Sequence, residues 1–161
     1  NNNNNNNNNN NDVGMFMPIR CPHESACAGP IFLMNIHDPL MDDVSYKIYK
    51  EGCFECSHLA KLLDAFAPYP DSILVDVGGN IGMWSLAAAA ANHDTYTIEP
   101  LGVNYRRICR SVMRNDGFAG RVHVLNVAAT SEDDTTFRID VPRRNKGGGR
   151  VAALPEKDGP D

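Results

Sequence analysis

Two acids, Asp76 and Glu99, are the residues whose setting promises chemistry. Asp76 stands in Ile73-Leu74-Val75-Asp76-Val77-Gly78-Gly79-Asn80-Ile81-Gly82, where a short β-branched run breaks into glycines. Such a run reads as a buried strand of a parallel sheet. Residues 83–91 follow, with Trp84, Leu86 and a run of alanines, and form a strong helix signal. Glu99 closes a second short run, Thr95-Tyr96-Thr97-Ile98-Glu99-Pro100. Strand, glycine turn and helix together open a nucleotide-binding α/β unit. Gly78 and Gly79 let a ligand lie against the main chain, and the turn delivers it to the free N–H groups of a helix start.

The dinucleotide fingerprint G-x-G-x-x-G, started at Gly78, needs glycine at positions 80 and 83, where the chain has Asn80 and Met83. What stands here is acid-x-Gly-x-x-x-Gly, from Asp76 through Gly78 to Gly82. An acid at a strand end repels a pyrophosphate and suits a cation, such as a ligand carrying an ammonium and a sulfonium. A carboxylate at Glu99 suits the hydroxyls of a ribose. Two acids on adjacent strand ends, with glycines between them, fit S-adenosylmethionine better than NAD. An α/β unit that holds no ligand is the bland alternative.

The elements that must position these acids follow in order. Leu59, Leu62, Leu63 and Phe66 recur at helical spacing, with Ser57 as a cap and Pro68 and Pro70 as terminators. A further helix is expected over 103–115, with Tyr105, Ile108, Cys109 and Val112 on its inner face. Arg106, Arg107, Arg110 and Arg114 fall on a solvated one. Residues 121–129 read as a third buried strand, in which His123 is a packed core histidine. The small Ala128 and Ala129 at its end leave room for a flat ring. Right-handed crossovers order the three strands 3-2-1 in half of a doubly wound sheet. Residues 44–49 alternate apolar and polar and read as a strand, and residues 135–140 as a return strand.

Val75-Asp76-Val77-Gly78-Gly79-Asn80-Ile81-Gly82, then Ile98-Glu99-Pro100, then Asn104 and Asn115, resembles the FkbM-type family of S-adenosylmethionine-dependent methyltransferases over roughly residues 44–139. The family's loop typically reads D-V-G-A-N-x-G, so Gly79 stands for an alanine. The resemblance implies a Rossmann-like, doubly wound α/β sheet of class I methyltransferase type. It implies S-adenosylmethionine as cofactor, held by Asp76, Gly78, Gly79, Asn80, Gly82, Glu99, Pro100 and Ala128. It also implies a hydroxyl of a small molecule or sugar as methyl acceptor. Glu55 matches a family position as well, and a solvated charge explains it equally. Nothing here matches the family's later K-I-D-V-E-G segment. The expectation is therefore a chain cut off after the third strand and a return strand, with the acceptor pocket and any base beyond it; no catalytic residue is assigned. The alternative is a non-catalytic cofactor-binding or interaction module whose open sheet edge a partner covers.

The remaining organisation is an asparagine-rich tail over 1–14, expected disordered, and an irregular segment over 15–43. The partial cofactor domain runs over 44–140, and a basic, glycine-rich flexible stretch over 141–161. The 161 residues allow one domain with a real core, and a net charge of −5 argues against a nucleic-acid partner. No run is long and apolar enough to span a bilayer, and no signal peptide is visible, so no membrane partner and a cytoplasmic location are expected. Five cysteines, an odd number, argue for reduced thiols. Cys21, His23, Cys27, Cys53, Cys56 and His58 invite a zinc reading, but their spacing is not that of a zinc knuckle. Oligomeric state is not legible.

Overall fold

The computed structural model describes residues 14–20, 30–131, 137–143, 145 and 148–153. The asparagine tract and Cys21, His23 and Cys27 lie outside them. The central unit follows the sequence. Strand β3 (Ile73–Val77), helix α3 (Met83–Ala90), strand β4 (Asp94–Ile98), helix α4 (Gly102–Val112) and strand β5 (Val122–Leu125) alternate along the chain. The strands form a parallel sheet in the order β3-β4-β5, with Val77 beside Ile98 and Ile98 beside Leu125. This is the α/β, Rossmann-like arrangement, with β3 at the sheet edge among the described residues.

The segment expected to be irregular, 15–43, instead contains an antiparallel pair, β1 (Met15–Arg20) and β2 (Ile31–Ile36). Periodicity missed β2 because Met34, Asn35 and Ile36 are all buried in succession, which erases the alternation. Pro18 obscured β1, yet a strand paired on one side tolerates proline. Both strands join the common core through Ile19, Phe32, Met34 and Ile36. Helix α3 packs on the sheet and on β2 together. That sandwich explains why it is apolar all round, with Leu86 through Ala89 buried.

Residues 44–49 are helical rather than extended. Helix α1 (Asp43–Glu51) is capped by Asp42, whose carboxylate accepts from Ser45 N at 2.8 Å. It ends at Gly52, φ +82, whose N–H reaches Ile48 O. Capping residues at both ends outweigh a short alternation. Helix α2 (Cys56–Phe66) buries Leu59, Ala60 and Leu63 and starts one residue before Ser57, after Glu55 in the left-handed region at φ +53. Cys53 and Cys56 are joined in a disulfide, so the parity argument for reduced thiols fails for this pair.

On α4 the buried face is Asn104, Arg107, Ile108 and Ser111. Arg107 is therefore core, not solvated, and Cys109 is only half-buried. Where this face meets β2 it finds Asn35 and the Ile36 carbonyl, so Arg107 and Ser111 are satisfied there by hydrogen bonds. His123 is exposed and stacks on Tyr96 at 4.6 Å between ring centres, on the sheet face opposite α3. The same face leaves Val75 61 %, Val77 62 % and Leu125 46 % exposed. Beyond β5, strand β6 (Phe137–Asp140) pairs with β7 (Arg150–Ala153), so part of the stretch expected to be flexible is a hairpin. Among the described residues no helix is long and apolar enough to cross a membrane.

Candidate functional site

The β3–α3 turn carries the site. Gly78 has φ +82, and its N–H and that of Gly79 converge on Ile98 O at 2.8 and 3.2 Å, which ties the turn to the end of β4. Asn80 takes the left-handed conformation at φ +53, which asparagine tolerates better than most residues. Gly79 is demanded by packing, since a β-carbon there collides with the Thr97 methyl. Gly79 is thus matched to threonine on the adjacent strand.

Asp76 is held from the helix side. Ser85 Oγ donates to its Oδ2 at 2.6 Å, and Thr97 Oγ1 donates to Ser85 Oγ at 2.6 Å. Burial raises the Asp76 pKa above its ordinary value, and hydrogen bonds from the Ser85 hydroxyl and backbone N–H oppose the shift. Glu99 is 5 % exposed and anchored from the loops. Its Oε2 accepts from Asn80 N at 2.8 Å, and its Oε1 from Leu101 N at 2.9 Å and Asn104 Nδ2 at 3.3 Å. Burial raises its pKa too, against those three donors, and the charge of Asp76 adds to the rise. Two carboxylates drawn out of water at the ends of adjacent strands make the site acidic and suited to a cation.

Two cavities adjoin at the turn. The first, about 240 Å³, is lined by Gly78, Asn80, Glu99, Pro100 and Ala128, among others. The second, about 330 Å³, is lined by Phe54, Glu55, Asp76, Gly79 and Trp84, and again by Gly78 and Asn80. Both lie near the lower end of the range for small-molecule sites. Among the described residues, neither lining includes lysine or arginine. Asn80 Oδ1 is buried without a hydrogen-bond partner, a spare acceptor at the junction. Of the eight residues singled out in the sequence, seven line these cavities. Gly82 lines neither: at φ +91 it starts α3, and a β-carbon there comes within 3.1 Å of Ile108.

Sequence reasoning missed Ser85 and Thr97, whose signal was a polar residue set in an apolar helix start and another in a strand. Asn115, quoted with the family pattern, is remote from the turn. Its amide brackets Leu33, accepting from the N–H and donating to the carbonyl at 2.7 Å each, and so clamps β2 to the end of α4. No group of three or more histidine, cysteine or acidic side chains among the described residues is arranged to hold a metal.

No protein-family model matches the chain, and no curated protein matches it. Among solved structures, the chain is similar to the C-terminal domain of precorrin-6Y C5,15-methyltransferase from Rhodobacter capsulatus, at 26% identity over 48% of this chain and 42% of that one, with a TM-score of 0.43. It is also similar to a SAM-dependent methyltransferase from Agrobacterium tumefaciens, at 17% identity over 73% of this chain and 34% of that one, with a TM-score of 0.44. The chain thus spans less than half the length of each. With overlaps this partial, a functional reading rests on the site residues.

Proposed function

We propose that the chain binds S-adenosylmethionine and belongs to a methyltransferase acting on a hydroxyl of a small molecule or sugar. The observation that carries the reading is the placement of Asp76 and Glu99 at the ends of adjacent parallel strands, each on one of two cavities that meet at Gly78 and Asn80. The donor set fits such a group. Carboxylates and the unpartnered Asn80 carbonyl accept hydrogen bonds and attract cations. Asp76 and Glu55 lie on the side suited to an ammonium, and Glu99 on the side suited to a sugar hydroxyl. Ala128 and Pro100 leave space for a flat ring. When bound, the cofactor supplies an electrophilic methyl for in-line displacement, whose rate depends chiefly on alignment with the acceptor oxygen. The described residues orient the cofactor; no base is assigned among them.

Calorimetry of the chain with S-adenosylhomocysteine tests this reading. Binding is expected, weakened at least tenfold by Glu99→Ala and by Asp76→Ala, with no binding of NAD. A wild-type chain that ignores S-adenosylhomocysteine removes the proposal. A second reading, an interaction module without catalysis, draws support from the exposed apolar face at Val75, Val77 and Leu125. It predicts a stable oligomer by sedimentation, and a clean monomer counts against it.

A further inference from the structure

Arg107, His37, Asn104 and Glu99 form a continuous buried line across β2, α4 and the end of β4. Arg107 Nε donates to His37 Nδ1 at 2.8 Å. His37 Nε2 lies 2.7 Å from Asn104 Oδ1, and Asn104 Nδ2 donates to Glu99 Oε1 at 3.3 Å. Arg107 is 1% exposed, and His37 and Asn104 are 0% exposed. A guanidinium only donates. His37 Nδ1 is therefore an acceptor, the ring proton sits on Nε2, and Asn104 must present its oxygen to the histidine and its NH₂ to the glutamate. Each orientation follows from the one before it. The arginine is itself fixed, since its Nη1 donates to Asn35 Oδ1 at 3.0 Å and to Ile36 O at 2.8 Å. The backbone at Gly14, φ +65, lies so close to Nη1 that no β-carbon fits there.

The far end of the line decides what Glu99 offers a ligand. With Leu101 N and Asn104 Nδ2 on Oε1, both of its acceptor positions are filled. Oε2 takes only Asn80 N and keeps one position open. We infer that Arg107, His37 and Asn104 are positioning residues for Glu99, a one-way chain of hydrogen-bond donors that saturates Oε1 and leaves Oε2 to take one ribose hydroxyl. The inference rests on the cofactor reading above and adds three residues, none of them in the cofactor turn or in the lining of either cavity.

Adenosine and 2′,3′-dideoxyadenosine are the probes, titrated into the full chain. The wild type is expected to prefer adenosine roughly tenfold or more, as one hydrogen bond to a charged acceptor implies. His37→Gln keeps an acceptor towards Arg107 and a donor towards Asn104, so the preference survives. His37→Leu breaks the line, and the preference falls towards unity while circular dichroism shows a folded chain. Equal preference in wild type and folded His37→Leu overturns the inference, as does loss of preference in both variants. Nitrogen NMR of histidine-labelled wild type judges the line without any ligand or variant. A neutral ring protonated at Nε2 supports it, and a ring protonated at Nδ1, or at both nitrogens, overturns it. A wild type that binds no adenosine defeats the cofactor reading, and the NMR result still decides the relay.

Discussion

The methyl group of Thr97 occupies the space that a β-carbon on Gly79 would need. This pair joins the cofactor turn to the neighbouring strand, and it ties the turn's sequence to one position on β4. Gly79→Ala is expected to destabilise the fold by about 1–3 kcal/mol through overpacking. Thr97→Ser keeps the hydroxyl that reaches Ser85 and removes the methyl, at a cost of about 1 kcal/mol by itself. The double variant should recover stability relative to the sum of the singles. Urea unfolding of the four proteins measures the cycle, and strict additivity refutes the steric coupling.

The carboxylates give a pH dependence with a definite sign. Both folded-state pKa values are raised above the ordinary 3.8 for Asp76 and 4.5 for Glu99. The folded chain then holds protons more tightly than the unfolded one, so these groups favour folding at low pH. That contribution is lost as pH rises from the ordinary values through the raised ones. Asp76→Asn and Glu99→Gln should flatten this fall in stability, read as unfolding free energy against pH. A cationic ligand behaves oppositely: its affinity is full above the raised values and declines as pH drops through them. Cofactor affinity that improves on acidification would contradict the charge assignment.

Gly82 separates structure from binding. Its φ of +91 and the nearness of Ile108 predict that Gly82→Ala costs about 1–3 kcal/mol of stability. Lining neither cavity, it should leave S-adenosylhomocysteine affinity of the folded protein within about twofold. A selective loss of affinity with unchanged melting temperature argues for direct ligand contact instead.

The Cys53–Cys56 bond closes a loop whose two inner residues, Phe54 and Glu55, line the Asp76 cavity. Chain-entropy arguments for so short a loop give about 2 kcal/mol. Reductant, or the Cys53→Ser/Cys56→Ser double variant, should lower the melting temperature and weaken S-adenosylhomocysteine binding together. If melting shifts and binding does not, the loop is only a staple.

How legible was this in the sequence? The β3–α3–β4–α4–β5 unit was, because apolar runs, a glycine turn and helix formers all agreed over 73–125. Seven of the eight singled-out residues line the paired cavities because they sit in the β3–α3 turn or just past the ends of β4 and β5, which the apolar runs mark. The polar interior was not legible. Arg107, His37 and Asn104 are buried by mutual satisfaction rather than by apolar character, and no periodicity of hydrophobic residues reveals that. Helix α1 was misread because six alternating residues outvoted the caps at Asp42 and Gly52. Strand β2 was missed because a strand covered on both sides at Met34–Ile36 has no polar phase to display.

The sheet face bearing Val75, Val77, Tyr96 and Leu125 has a practical corollary. It is a flat, greasy plate beside an acidic hollow, so the purified chain should light up hydrophobic dyes such as ANS while still giving sharp, native-like side-chain spectra. Dye fluorescence, commonly taken as a sign of partial melting, would here report a bare wall of an intact house.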